Sequence, residues 1–300
     1  MLPTDRQSVS APGPTVVAPV NVRSRPPIRI AAGLGMILPL LVVTGVLFDA
    51  PLIATLVRSL SSGKEALSFD NYIRFLSSSV YLTVVIRTIK LSIYVSIACA
   101  VLGFPLAYWI TLQSRRTSMI AFGCVIASFW VSILVRTYSW IVILGNGGII
   151  NRWLQNAGLI DRPIRMLYGE FGVTLGMINI LLPFLVLPLY ASMKQVDPRL
   201  EQVSLTLGAS RSQYFWRVFL PIMLPSLTAS TILVFILSVG FYITPAILGG
   251  GRVPVVATML DSLINTFPNW GLASAISIVL LAFTLVAFGF YQRFNARSGV

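Results

Sequence analysis

The sequence contains no histidine, two cysteines and only nine acidic residues in a length of 300. Without histidine there are no imidazole metal ligands, no imidazole general base and no Ser/His or Cys/His nucleophile arrangement. Cys99 and Cys124 both fall inside long apolar runs, which excludes a disulfide framework and a zinc site. Charge is scarce as well, at 10% of residues. An ordinary globular domain carries about 25%, so this chain could not cover a water-facing surface. A phosphate-cradling G-x-x-x-x-G-K-[S/T] loop is missing too. Gly63-Lys64 lacks the upstream glycine, and the glycine run 249–251 follows an apolar stretch without a nucleotide fingerprint.

Apolar residues are abundant instead. They make up 56% of the chain, and the mean hydropathy is +0.85. The net charge of +13 comes from 22 Lys and Arg. In a multi-span chain that excess marks inner-side loops facing anionic lipid, not a nucleic-acid surface. The composition is that of an integral membrane protein.

A helix needs about 20 mostly apolar residues to cross the hydrocarbon. Six runs qualify, near 30–57, 82–110, 119–143, 171–193, 219–248 and 271–291. Residues 1–29, rich in Pro, Ser and Val with Arg6, Arg23, Arg25 and Arg29, have no helical period and read as a flexible tail. The first apolar run starts late and is too long for the h-region of a cleaved signal peptide. With the N-terminus inside, the inner set holds 12 Lys and Arg against Asp5, Asp197 and Glu201. The outer set holds nine against six acids, and Arg136 lies within the third span. Lys and Arg concentrate on the cytoplasmic side, so both termini are predicted to be cytoplasmic. Tyr81, Tyr108, Trp109, Trp153, Tyr168, Trp270 and Tyr291 read mostly as interface anchors.

The connection 197–217 is too polar and patterned for a plain loop. Asp197 is a good N-cap, with Pro198 at the first helical position. Gly208 ends the helix in the left-handed conformation that glycine adopts cheaply. Ser210 and Gln213 form a capping box for the next helix. The short helix presents Leu200, Val203, Leu205 and Leu207 together with Arg199, Glu201 and Arg211.

This stretch resembles the cytoplasmic signature of ABC-importer permeases, in which Glu-Ala-Ala, three residues and Gly are followed by nine residues and Ile-x-Leu-Pro. Here the pieces are Gln202-Val203-Ser204, Gly208, nine residues beginning Ala209-Ser210-Arg211, and Val218-Phe219-Leu220-Pro221. Gln202 stands where the family often has Glu, and Val203 and Ser204 replace two alanines. The resemblance is closest to the permeases of the spermidine/putrescine importer group. It extends to the segments 69–72, 103–108, 129–132, 136–140, 182–188 and 240–250. It implies an all-α, six-span, type I (MetI-like) permease bundle in the bacterial inner membrane, with a cytoplasmic coupling helix at 199–211. It also implies a second, different permease, two ATPase subunits carrying ATP and Mg, and a periplasmic binding protein. The chain itself would hold no cofactor and no metal, would hydrolyse nothing, and would contact membrane lipid but no nucleic acid.

The pathway is expected where polar or irregular groups interrupt the spans. Arg136 either pairs, snorkels or lines the path, with Asp49 and Asp261 as possible partners and Asp49 equally readable as a wet interfacial residue. Pro221, Pro225, Pro245 and Gly240 make the fifth span the best gate. Tyr242 and Thr244 would give a polar, aromatic surface near its break, or pack in the core. Asn179 suits a helix–helix hydrogen bond better than a ligand contact. Trp130, Tyr138, Trp140 and Phe241 add aromatic faces that could guide a polycation. An opine, an amino-acid derivative or another small polar solute fits about as well as a polyamine. A secondary transporter would need inverted repeats and more intramembrane charge, and a channel would need a filter. The sequence offers little of either.

Overall fold

The computed structural model describes residue 39 and residues 42–61 and 68–297. The tail at 1–29, the start of the first span, and Lys64 and Glu65 lie outside the described residues. Contacts divide the chain into two compact units, Met1–Pro51 and Leu52–Val300. In the first, the described residues are mostly apolar and almost all exposed, and Gly45–Asp49 forms a π-helical turn.

Helices follow one another through the second unit. They are α1 (Ala50–Ser59, which begins in the first unit), α2 (Asp70–Ser77), α3 (Ser79–Leu112), α4 (Arg115–Trp130), α5 (Ile133–Leu144) and α6 (Ile149–Asn156). Then come α7 (Glu170–Gln195), α8 (Arg199–Thr206), α9 (Arg211–Tyr214), α10 (Leu220–Val239), α11 (Ile243–Leu248), α12 (Val256–Asp261) and α13 (Trp270–Arg297). No strand occurs among the described residues. Among the described residues, six stretches are long and apolar enough to cross a membrane: Val42–Ser59, Ser79–Leu112, Ile133–Asn156, Glu170–Gln195, Arg211–Val239 and Trp270–Arg293.

The centre of the bundle is α7 packed between α3 and α10. On α7 the buried residues Met177, Leu181, Leu185 and Leu189 recur every four residues and form one stripe. Val95, Cys99, Ala107 and Ile110 of α3 complete this core with Met223 and Val234 of α10. Gly103 lets α3 approach closely, because a Cβ there would lie 2.6 Å from Leu185 Cδ2. The outward faces of α3 and α13 keep large apolar side chains exposed, as hydrocarbon or another transmembrane chain requires.

Two expected spans are broken. The third is two helices, α4 and α5, separated by extended backbone at Val131 and Ser132. The halves share α7 but otherwise have different neighbours: α4 packs also on α3, while α5 packs also on α6 and α11. Phe129 stacks edge-on against Phe184 of α7 at 4.8 Å and holds the end of α4 in place. The fifth span stops at Val239 and resumes at Ile243. Pro245 accounts for this, since it has no N–H for the Phe241 carbonyl and its ring would collide with that group in a continuous helix. The fifth span also starts earlier than the apolar run. Helix is continuous from Arg211, through a π-helical turn at Phe215–Phe219, into α10. Pro221 cannot donate to the Arg217 carbonyl, and the adjacent turn widens so that the Leu220 N–H reaches Phe215 O.

Candidate functional site

The α8 turn is fixed by its caps. The Arg199 N–H donates to Asp197 Oδ1 at 2.9 Å, so Asp197 caps the helix from one position earlier than expected, with Pro198 in the N-cap place. At the other end Gly208 has φ +88°. The Gly208 N–H donates to Leu205 O and the Ala209 N–H to Ser204 O, both at 3.0 Å. These are the two bonds of a Schellman motif. Ser210 and Gln213 form both halves of the capping box that opens α9, at 3.2 and 2.8 Å.

No residue of α8 is buried. Leu200, Val203 and Leu205 are exposed, Leu207 is 82% exposed, and Arg199, Gln202 and Arg211 are exposed beside them. Glu201 and Ser204 face inward, half-buried, with Ser204 Oγ donating to Glu201 O at 2.8 Å. The Glu201 carboxylate interacts electrostatically with Tyr108 and Tyr214.

An aromatic clamp not foreseen from the sequence ties this turn to the bundle. Tyr108 at the end of α3 sits 5.2 Å from Phe215 and 4.9 Å from Phe219, ring centre to ring centre. Phe104 meets Phe215 at 6.2 Å. The sequence offers Tyr108 only as an interface anchor, since nothing in it shows that α3 ends beside the π-helical turn. These ring contacts join the turn that follows α8 to both α3 and α10.

The pathway candidates separate. Tyr242, at the break of the fifth span, and Asp261, at the end of α12, interact with each other and line one cavity of about 400 Å³ with Tyr81, Thr258 and Ser262. Asp261 Oδ1 accepts a hydrogen bond from Asn265 Nδ2 at 2.7 Å. Asp261 is thus engaged by Asn265 and Tyr242 and does not pair with Arg136. Arg136 is half-buried, and its Nε is buried without a hydrogen-bond partner. Thr244 is no part of a polar surface: it is fully buried, and with Leu248 it packs onto Gly176 of α7. Trp140 is half-buried against the same region. Asn179 is exposed on α7 rather than bonded between helices. Tyr138 is exposed, and Trp130, 88% exposed, marks the α4–α5 break. Asp49 is exposed in the first unit.

Two further polar features escaped the sequence. Arg87 of α3 pairs with Glu170 of α7 at 3.4 Å, beside Lys90 in a groove of about 490 Å³. Asn151 of α6 is fully buried. Its Nδ2 donates to Gly145 O and Ile164 O, both at 3.0 Å, and its Oδ1 accepts from Ile164 N–H at 2.9 Å. Asn151→Leu removes all three bonds and leaves partly buried backbone groups without these partners, at about 1 kcal/mol per bond. The expected result is rapid tryptic cleavage at Arg152 and Arg165 in a protein that otherwise purifies normally. Unchanged cleavage would show that the loop holds itself by other means.

A comparison with protein families matches residues 99–300 to the binding-protein-dependent transport system inner membrane component. The spermidine/putrescine transport system permease protein PotB of Haemophilus influenzae is 32% identical over 229 residues, covering 76% of this chain and 80% of that protein. PotB of Escherichia coli is 30% identical over 217 residues, covering 72% and 78%. The fold is shared with a bacterial alginate ABC transporter solved with an alginate-bound periplasmic protein. There the TM-score is 0.69 at 18% identity, over 90% of this chain and 95% of that one. An amino acid ABC transporter superimposes with a TM-score of 0.52 at 14% identity, over 77% of this chain and 99% of that one. The six apolar stretches, the paired caps of the α8 turn and these matches agree: the chain is a multi-pass inner-membrane permease subunit of the binding-protein-dependent ABC importer family.

Proposed function

We propose that this chain forms half of the translocation path of a polyamine importer, taking spermidine- or putrescine-like cations from a periplasmic binding protein. A second, different permease forms the other half. Two ATPase subunits, which bind ATP and Mg, dock on the α8 turns, and both termini of this chain lie in the cytoplasm. The exposed leucines and Val203 of α8 supply the apolar docking face, and its caps keep it rigid enough to transmit closure of the ATPases. The aromatic clamp passes that movement to α3 and α10, and the bundle alternates between two openings. The substrate acts through its different affinity for the two states.

The observation that carries the polyamine reading is the Tyr242–Asp261 cavity. A carboxylate and a phenol ring at the break of a transmembrane helix suit an alkylammonium, which gains a charged hydrogen bond and an aromatic face. The likeness to the PotB permeases supports the same substrate class. Asp261→Asn keeps the shape and the bond to Asn265 but removes the charge. A charge-assisted hydrogen bond contributes about 1.5–3 kcal/mol, so spermidine uptake by the reconstituted importer is expected to fall about 10- to 100-fold in kcat/KM. Tyr242→Phe should cost less. Full uptake by Asp261→Asn would remove this cavity from the path.

A further inference from the structure

We propose that the lobe between α5 and α7 binds an anionic phospholipid, its phosphate held between Arg165 and Arg252 and its acyl chains lying on α6. Asn146, Arg165, Tyr168 and Arg252 line a pocket of about 260 Å³. Both arginines are exposed, and neither forms an ion pair with a described residue. Two free guanidiniums and an amide converging on one pocket make a site for a phosphate, which guanidinium groups grip with paired hydrogen bonds.

The pocket is built rather than incidental. Tyr168 adopts φ +59°, a conformation that costs a tyrosine strain energy. It is kept there by its N–H, which donates to Leu248 O at 3.0 Å, and by its ring, which lies on Gly250 where no Cβ would fit. The three bonds of Asn151 lock α6 to Gly145 on one side and Ile164 on the other. Arg165 directly follows that anchor.

Helix α6 points to lipid as the source of the phosphate. Its polar Asn151 faces inward, fully buried, while Ile149 and Trp153, one turn apart, are 63% and 67% exposed. Arg152, Gln155 and Asn156 are exposed beside them, and a short helix that shows isoleucine and tryptophan next to polar side chains has the amphipathic character of the membrane interface. Leu159 and Ile164, which directly precedes Arg165, are exposed apolar residues of the same lobe. An acidic surface on a soluble protein would use the arginines but leave this apolar face uncovered. The lobe precedes α7 and α8 follows it, so the lipid sits at the opposite membrane face from the coupling turn. The inference is independent of what the chain transports.

The test is to reconstitute the full chain in phosphatidylcholine vesicles containing increasing phosphatidylglycerol brominated on its acyl chains. The Trp153 signal, taken as wild type minus Trp153→Phe, is followed for quenching. Wild type is expected to reach half-quenching at a phosphatidylglycerol fraction at least about fivefold lower than Arg165→Gln/Arg252→Gln. Arg165→Lys/Arg252→Lys should stay near wild type, which separates lost charge from lost structure. Millimolar inorganic phosphate should leave the wild-type curve in place; a shift would overturn the lipid assignment in favour of a small free anion. Identical curves for wild type and the glutamine variant would also overturn it. If in addition that variant lost stimulation of ATP hydrolysis by the binding protein, the arginines would belong to a protein docking site.

Discussion

Gly208→Pro is expected to abolish substrate-driven ATP hydrolysis by the assembled importer, a loss of about 100-fold or more, while the chain still inserts and purifies. Proline holds φ near about −65°, whereas Gly208 sits at +88°. Its missing N–H deletes the bond to Leu205 O, and its ring drives Leu207 out of the near-helical conformation that closes α8. The Ala209 N–H then cannot reach Ser204 O, and the elbow between α8 and α9 is lost. Gly208→Leu is a milder change, since a Cβ there meets nothing within 4 Å. It introduces only left-handed strain of about 1–2 kcal/mol, so coupling should fall about tenfold. The measurement is ATP hydrolysis with and without liganded binding protein at matched expression. Full stimulation of the proline variant would show that ATPase movement enters the bundle elsewhere.

Gly176→Leu should have an effect of similar size at the other end of the molecule. A Cβ at Gly176 would lie 2.8 Å from Thr244 Cγ2 and 2.9 Å from Leu248 Cδ2. Both of those side chains are fully buried, and α7 is the most enclosed of the spans. The core cannot yield, and overpacking of this kind costs about 1–3 kcal/mol or more. Relief comes from displacing α11, which carries Pro245 and Ala246 into the wall of the Tyr242–Asp261 cavity. Substrate uptake is expected to fall about 100-fold and the melting temperature by about 5 °C. Basal ATP hydrolysis should survive, because α8 and its clamp lie at the far end of α7. Together the two variants separate coupling from passage. If Gly176→Leu transported normally, α11 would be mobile enough to make room, and the break would be a hinge of larger amplitude than its packing suggests.

Much of this was legible in the sequence, and where it was not the reason is physical. Apolar runs reveal membrane helices because lipid leaves the backbone no partners but its own. The turn at 197–213 was readable because caps are local: Gly208 with Ser210 and Gln213 specify their geometry within a few residues. The break near Gly240 also has a local cause, in Pro245. The break at Val131–Ser132 has no proline or glycine to announce it, since it follows from α4 and α5 having different neighbours besides α7.

Residue roles inside the bundle depended on which face of each helix meets which neighbour. Thr244 and Tyr242 lie two positions apart in the sequence, yet one is sealed against Gly176 and the other opens onto a cavity with Asp261. Asn151 looked like any polar residue between spans, and only the return of the chain at Ile164 makes it the pin of a lobe. The sequence by itself determined the membrane class, the absence of a nucleotide loop and the capped turn, because composition and capping act over short distances. The tertiary structure alone decided the clamp, the Tyr242–Asp261 cavity and the Arg165–Arg252 pocket, because each joins residues from helices or loops far apart in the chain.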